Sequence, residues 1–344
     1  MICCQENDMS VRATITRRSA LTLGLMGAAF AVSGKILGDM AFAADTYPAR
    51  YIHLILPFPP GGGTDAVSRI LGKKMTDDLG QSIVIDNRPG AAGNLATAIV
   101  AKAPNDGYTL LVGFNGTLTV NPSLYPDATV DIQRDLTPVS LLAEGGYVLV
   151  TNPKLPVRSV KELIDYAQAH PGTLNYASAG VGSPLHMAGA LFAGRTGIKA
   201  VHIPYKGGGP AVLAVLAGDA QYYFGSIAST LPHIQAGTLR PLAVASLKRS
   251  PLLPDMPTLD ESGLPGFNVT SWYGLLGPAG LPENIVSLLQ KELTKALADP
   301  EVVKALDRDG LNAVPSNSAV MAERIKSETE MWKKVIDDAH IKAQ

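Results

Sequence analysis

Three times in this chain a short apolar run ends in glycines that open straight into a helix. That punctuation restricts the fold more than any other feature of the sequence. Residues 51–57 lead into Phe58-Pro59-Pro60-Gly61-Gly62-Gly63-Thr64-Asp65. Residues 174–177 lead into Ser178-Ala179-Gly180-Val181-Gly182-Ser183-Pro184, and residues 200–204 into Tyr205-Lys206-Gly207-Gly208-Gly209-Pro210. A strand that hands over to a helix so quickly needs a crossover back to its sheet. The expected class is therefore α/β, with parallel strands and right-handed connections.

The first unit continues as a helix over 64–79, a strand over 82–86, a helix over 94–103 and a strand over 108–114. Thr64 is the expected N-cap, Asp65 suits the positive helix start, and Gly80 suits the left-handed stop. A second series gives strand 147–151, helix 159–169 capped by Ser159, strand 174–177, a helix from Ser183-Pro184 to about 195, and strand 200–204. Helix 210–216, strand 221–224, helix 229–235 and strand 242–246 follow. An extended run over 269–276 and helices over 282–297, 300–308 and 318–339 complete the chain. No repeat of fixed period is visible.

The N-terminus carries its own pattern. Arg17-Arg18 precede an uncharged, mostly apolar run over 19–34, and Ala41-Phe42-Ala43 fits a small-x-small cleavage site. This is the layout of an export signal, and the paired arginines between Thr16 and Leu21 suggest the twin-arginine route. The run is short for a bilayer span, although a retained anchor is the competing reading. Residues 1–44 are thus expected to be a signal peptide, cleaved to leave the mature chain in the periplasm. Cys3 and Cys4 both lie upstream of the cleavage site. The mature chain then has no disulfide, thiolate metal site or cysteine nucleophile.

Charge and motifs exclude several functions. The formal net charge is −1 and no basic stripe is present, so no nucleic-acid partner is expected. There is no G-x-S-x-G elbow, no H-E-x-x-H, and no metal-spaced pair among the six histidines. No catalytic residue, metal ligand or cofactor is therefore assigned. The first glycine loop lacks the Gly-Lys-Ser/Thr of a Walker A loop and the spacing of a dinucleotide fingerprint. A Ser183/His186 hydrolase lacks an orienting acid and an oxyanion site.

What the loops offer is bare backbone at helix N-termini, which binds anions without any net positive charge. The candidate ligand contacts are Phe58, Pro60, Gly61, Gly62, Gly63 and Thr64 in the first loop. In the second they are Ser178, Ala179, Gly180, Gly182, Ser183 and His186, and in the third Tyr205, Lys206 and Gly207. Asn115 and Ser226, just beyond two further strands, join them. Each loop has a plainer reading. The first can be a flexible turn, Ser183 an N-cap, His186 a packed histidine and Lys206 a solvent-facing side chain.

Ordered motifs along most of the chain add to this. They are Tyr47-Pro48, Leu56-Pro57-Phe58 through Asp65, Asn87-Arg88-Pro89-Gly90-Ala91-Ala92-Gly93 and Pro104-Asn105-Asp106-Gly107-Tyr108-Thr109-Leu110. Asn121-Pro122, Leu124-Tyr125, His170-Pro171-Gly172, Ile203-Pro204-Tyr205-Lys206-Gly207 and Leu253-Pro254-Asp255-Met256-Pro257-Thr258 continue the series. Glu261-Ser262-Gly263-Leu264-Pro265-Gly266 and Trp272-Tyr273-Gly274 close it. With these motifs the chain resembles, from about residue 47 to 341, the extracytoplasmic receptors of tripartite tricarboxylate transporters, the Bordetella uptake gene family. It departs from that pattern at Ile52-His53, Pro60 and Val67-Ser68.

The resemblance implies a two-domain Venus-flytrap fold of the type II periplasmic-binding-protein class. One domain would hold residues 45–147 and 270–344, the other 148–269, with the ligand cleft between them. It implies capture of a small organic carboxylate, without catalysis, between residues 61–64 and 178–183, with Phe58 and residues 205–208 shaping the wall. The closed form would dock on the membrane permease subunits of a tripartite transporter. A sensor that presents its closed form to a membrane kinase is the alternative.

Overall fold

The computed structural model describes residues 47–343, so the expected signal peptide and both cysteines lie outside the described residues. In chain order the strands are β1 (Ile52–Leu56), β2 (Ile83–Asn87), β3 (Thr109–Phe114), β4 (Leu136–Thr151), β5 (Leu174–Ser178), β6 (Ala200–Pro204), β7 (Tyr222–Ser226), β8 (Arg240–Val244), β9 (Thr270–Pro278) and β10 (Leu311–Ala313). The helices of eight residues or more are α1 (Gly63–Leu79), α2 (Asn94–Ala101), α3 (Val160–Ala169), α4 (Pro184–Thr196), α5 (Gly208–Ala217), α6 (Ile227–Gln235), α7 (Glu283–Leu297), α8 (Pro300–Arg308) and α9 (Ser318–Asp338).

Each half repeats the expected parallel arrangement. β1 lies between β2 and β3, with Ile52 opposite Ile83 and His53 opposite Thr109. β5 lies between β6 and β7 in the same sense. The middle of the sheet is antiparallel, which the sequence reading did not anticipate. Strand order is β2-β1-β3-β9-β4-β7-β5-β6, with β8 and β10 also paired to β4. β4 changes partners along its length. Residues 136–146 pair with β9, and residues 147–151 pair with β7 and β8. The expected strand over 147–151 is only the second part of this element.

Two cores follow from this layout. One packs β1, β3 and β9 against α1 and α7 through Ile52, Leu54, Leu71, Leu289 and Leu293. The other packs β4, β5 and β7 against α3 and α4 through Val148, Val150, Leu163, Phe192 and Phe224. Each such side chain contributes about 1.5–3 kcal/mol when fully buried. α9 serves both halves. Met321 and Ile325 pack with Trp272 and Leu276 of β9, whereas Trp332, Val335 and Ile336 belong to the second core. Between these anchors lies a partly buried polar cluster. Trp272 Nε1 donates to both carboxylate oxygens of Glu328 at 2.8 and 2.9 Å. Arg324 reaches Glu328 at 2.9 Å, Glu144 at 3.1 Å and the Thr270 hydroxyl at 2.9 Å.

Helix ends follow local chemistry, with one correction. Ser159 and Ser183 cap α3 and α4 by accepting the N–H groups of Glu162 and His186. Gly80 closes α1 in the left-handed conformation. Thr64 is not an N-cap. α1 starts one residue earlier, its N-cap is Gly62 with no side-chain bond, and Thr64 is buried within the first turn. Asp65 organises this start instead, because its Oδ2 accepts the Gly61 N–H at 3.1 Å and the Arg69 Nε at 2.8 Å.

Candidate functional site

The C-terminal ends of β1, β3 and β5 meet at a cavity of 280 Å³. Phe58, Phe114, Thr117, Asn121, Leu124 and Tyr125 line it from the first half, and Ala179, Val181, Gly182 and Ser183 from the second. Of the residues expected from sequence, this brings together Phe58, Ala179, Gly182 and Ser183. Phe58, Phe114 and Tyr273 form an aromatic run, with centroids 5.8 and 5.5 Å apart. No Lys or Arg side chain lines the cavity.

The halves touch at this point. Gly182 has φ +75°, and a Cβ built there falls 2.3 Å from Leu124 Cδ2. Gly182→Ala is accordingly expected to hold the halves apart and weaken ligand binding. Left-handed strain of about 1–2 kcal/mol burdens the open and closed forms alike, so the loss of affinity, roughly tenfold, comes from displacing Leu124 in the closed form. Titration calorimetry of the variant checks this, and an unchanged Kd would refute it.

The second loop is held by its own side chains. Ser178 Oγ takes the Gly180 N–H at 3.1 Å and lies 2.6 Å from His202 Nε2. Ser183 Oγ donates to the Gly180 carbonyl at 2.7 Å. His186 Nδ1 accepts the Gly182 N–H at 3.1 Å. Ser178, Gly180, Ser183 and His186 thus brace one another. His186 and His202 stack with centroids 3.8 Å apart and planes within 10°, and Tyr176 stacks on His202 at 4.9 Å. Burial pushes His186 down to about 3, helped by the neighbouring His202, and burial alone pushes His202 to about 4. Both imidazoles are neutral at neutral pH, so His186 brings no positive charge. With Nδ1 accepting, the His186 proton is assigned to Nε2.

Apart from Phe58, the first and third loops lie beside this cavity rather than in its wall. Pro60, Gly61, Gly62 and Gly63 are exposed, and Thr64 is buried. A Cβ on Gly63 would fall 2.1 Å from the Tyr273 hydroxyl, so that phenol lies against the start of α1. The second half repeats the arrangement. A Cβ on Gly208 would fall 3.2 Å from the Tyr223 hydroxyl, at the start of α5. Tyr223 is 1% exposed and its hydroxyl has no hydrogen-bond partner among the described residues. First-turn N–H groups of both helices have no intrahelical acceptor. Burial pushes Tyr273 up to about 12, and also raises Tyr223 and Tyr147. All three phenols keep their protons and can donate.

The remaining expected residues have structural contacts. Asn115 is buried and donates from Nδ2 to the Thr270 carbonyl at 2.9 Å, tying β3 to β9. Tyr205 donates its N–H to the Ser178 carbonyl at 3.0 Å, Gly207 is the N-cap of α5, and Lys206 is exposed. Ser226 caps α6 by accepting the Ser229 N–H. Sequence reasoning missed Phe114, Thr117, Asn121, Leu124, Tyr125 and His202. Asn121, Leu124 and Tyr125 did stand in a motif of the resemblance, but nothing local marked them as facing a ligand. Among the described residues, no group of three or more His, Cys, Asp or Glu could hold a metal ion. No described helix is long and apolar enough to cross a membrane.

The sequence profile of the tripartite tricarboxylate transporter family receptors matches residues 67–341. The structure is similar to that of Rhodopseudomonas palustris Rpa4515 with adipate, at 34% identity and a TM-score of 0.74, covering 86% of this chain and 99% of that one. It is similar to MatC (Rpa3494) of the same organism with bound malate, at 35% identity and a TM-score of 0.70, covering 84% and 100%. It is also similar to the periplasmic binding protein BugD, at 32% identity and a TM-score of 0.71, covering 87% and 100%. The two-domain architecture of periplasmic solute-binding proteins, with a cleft between the halves, is therefore that of this chain. The chain belongs to the tripartite tricarboxylate transporter family receptors.

Proposed function

We propose that this receptor captures a small organic dicarboxylate in the cleft and passes it to the permease subunits of a tripartite transporter. One observation carries the reading: in each half a glycine-opened helix start faces a buried tyrosine hydroxyl, Gly63 with Tyr273 and Gly208 with Tyr223. Each pole offers free N–H groups, a helix dipole and a phenol donor to a carboxylate, with no cation needed. The adipate and malate held by the two similar proteins are both dicarboxylates, which supports one carboxylate per pole. Binding, not catalysis, is the function proposed.

The ligand stabilises the closed form only through its greater affinity for that form. The moving bodies are residues 45–147 with 270–344, and residues 148–269. The change of β4 partners between Gly146 and Tyr147 supports that division. Residues 1–44 are proposed as a cleaved twin-arginine signal, with the mature chain working in the periplasm.

The test is calorimetric titration of the mature chain with adipate and malate against their diamides. Binding of the acids but not the amides is expected, and equal affinity for both would sink the proposal. Tyr223→Phe sharpens it. The hydroxyl has no partner among the described residues, so its loss leaves the melting temperature unchanged or raised. Loss of a hydrogen bond to a charged group is worth about 1.5–3 kcal/mol, or roughly 10–100-fold in Kd. A Tyr223→Phe protein that binds as tightly as the wild type would remove Tyr223 from the site.

A further inference from the structure

A further cavity lies outside the cleft. It measures 720 Å³ and lies between α4 and the C-terminal part of α9. Its volume is within the range of small-molecule sites, about 300–1,000 Å³. Tyr176, Leu191 and Val335 form apolar walls, and His186 and His202 also border it. The mouth carries Arg195, Lys334, Glu330 and Asp338. These two bases and two acids sum to zero charge.

Two observations point to an occupant. Gly194 sits inside α4, where glycine is less favourable than alanine, yet a Cβ there would meet nothing within 4 Å. No packing demand explains the glycine, and its missing side chain leaves the cavity open. The second is His186, which is 5% exposed. Its Nδ1 is taken by the Gly182 N–H, so Nε2 carries the proton, and that group has no acceptor among the described residues. The ring is buried but borders the cavity, so its free donor is open to an acceptor held there. The floor is desolvated enough to disfavour the charged imidazole, and such a floor penalises an ion of either sign.

We propose that this cavity is a second ligand site, separate from the carboxylate cleft, for an uncharged aromatic molecule carrying one hydrogen-bond acceptor. The ring packs between Leu191 and Val335 beside Tyr176, and the acceptor takes the His186 Nε2–H. The inference does not depend on the identity of the cleft ligand. Because His186 also holds the Gly182 N–H, the occupant sits directly behind the loop that lines the cleft.

The test uses the mature chain, with acetophenone as the probe and ethylbenzene as the shape-matched control without an acceptor. Histidine side-chain 15N resonances are followed during titration. Expected is a saturable perturbation of His186 Nε2 by acetophenone, with ethylbenzene about three- to tenfold weaker. Gly194→Phe and Ala193→Phe each fill the space and should remove the perturbation, while their circular dichroism melts show that they fold. Absence of a saturable shift up to about 10 mM acetophenone would overturn the site. So would a shift that persists in both filled variants, or one displaced competitively by adipate, which would place the probe in the cleft.

Discussion

Lowering the pH from 7 to 4 is expected to remove about 6 kcal/mol of folding stability through His186 and His202 alone. Both titrate far below the ordinary histidine value of 6.5 in the fold, near 3 and 4. Below pH 6.5 the unfolded chain binds protons that the folded chain refuses. Stability is therefore complete above about pH 6.5 and falls as the pH drops toward those lowered values. With two groups the slope approaches about 2.7 kcal/mol per pH unit. The carboxylates held low act further down. Asp135, kept near 2 by its bond to Arg134, loses its contribution only below this window. Glu328, raised by burial, acts in the opposite sense and offsets part of the loss. Urea melts at pH 7, 6, 5 and 4 measure the slope. His186→Asn keeps an acceptor where Nδ1 was, and His202→Gln keeps one where Nε2 was. The double variant should lose more than half of the slope between pH 6.5 and 4. A slope that survives in it would assign acid lability elsewhere.

Glu328→Ala is expected to cost about 2–3 kcal/mol, chiefly the penalty for leaving the buried Trp272 donor without its acceptor. The carboxylate accepts the Trp272 indole N–H twice and pairs with Arg324. Its removal leaves the indole N–H without an acceptor beneath α9 and deprives the Arg324 side chain, 21% exposed, of one of its two carboxylates. Glu328→Gln retains one acceptor for Trp272 and should cost about 1 kcal/mol. Equal denaturation midpoints for the alanine and glutamine variants would show that the acceptor Glu328 gives Trp272 contributes nothing to stability.

The parallel halves were legible because strand, glycine and helix follow one another within a few residues at 57–64, 178–184 and 205–210. The first part of β4 was not. Residues 136–146 carry Pro138, Ser140, Glu144, Gly145 and Gly146, which break any apolar alternation, and their pairing with β9 spans over a hundred residues of chain. β10 is three residues long and carries no signal of its own. The site was partly legible for a similar reason. Glycine loops announce themselves, whereas Tyr223, Tyr273 and His202 sit inside ordinary apolar strands. Their roles depend on which loop the fold lays against them. Ser183 looked like a ligand group or an N-cap with equal force, whereas His186 read more readily as a packed or surface histidine. The structure shows them bonded to backbone within their own loop.

α9 has a kinematic consequence. Its 21 residues form a rod roughly 30 Å long, riveted to one plate at Met321 and Ile325 and to the other at Trp332, Val335 and Ile336. Two plates joined by the crossing strand β4 and the chain that enters β9 could gape like a book. A rod fixed to both removes that degree of freedom, because gaping would stretch the rod or tear out one set of rivets. What remains cheap is rotation about the rod's own axis. The receptor should therefore breathe by a shallow twist, and cutting the rod before Trp332 should convert that twist into a wide swing.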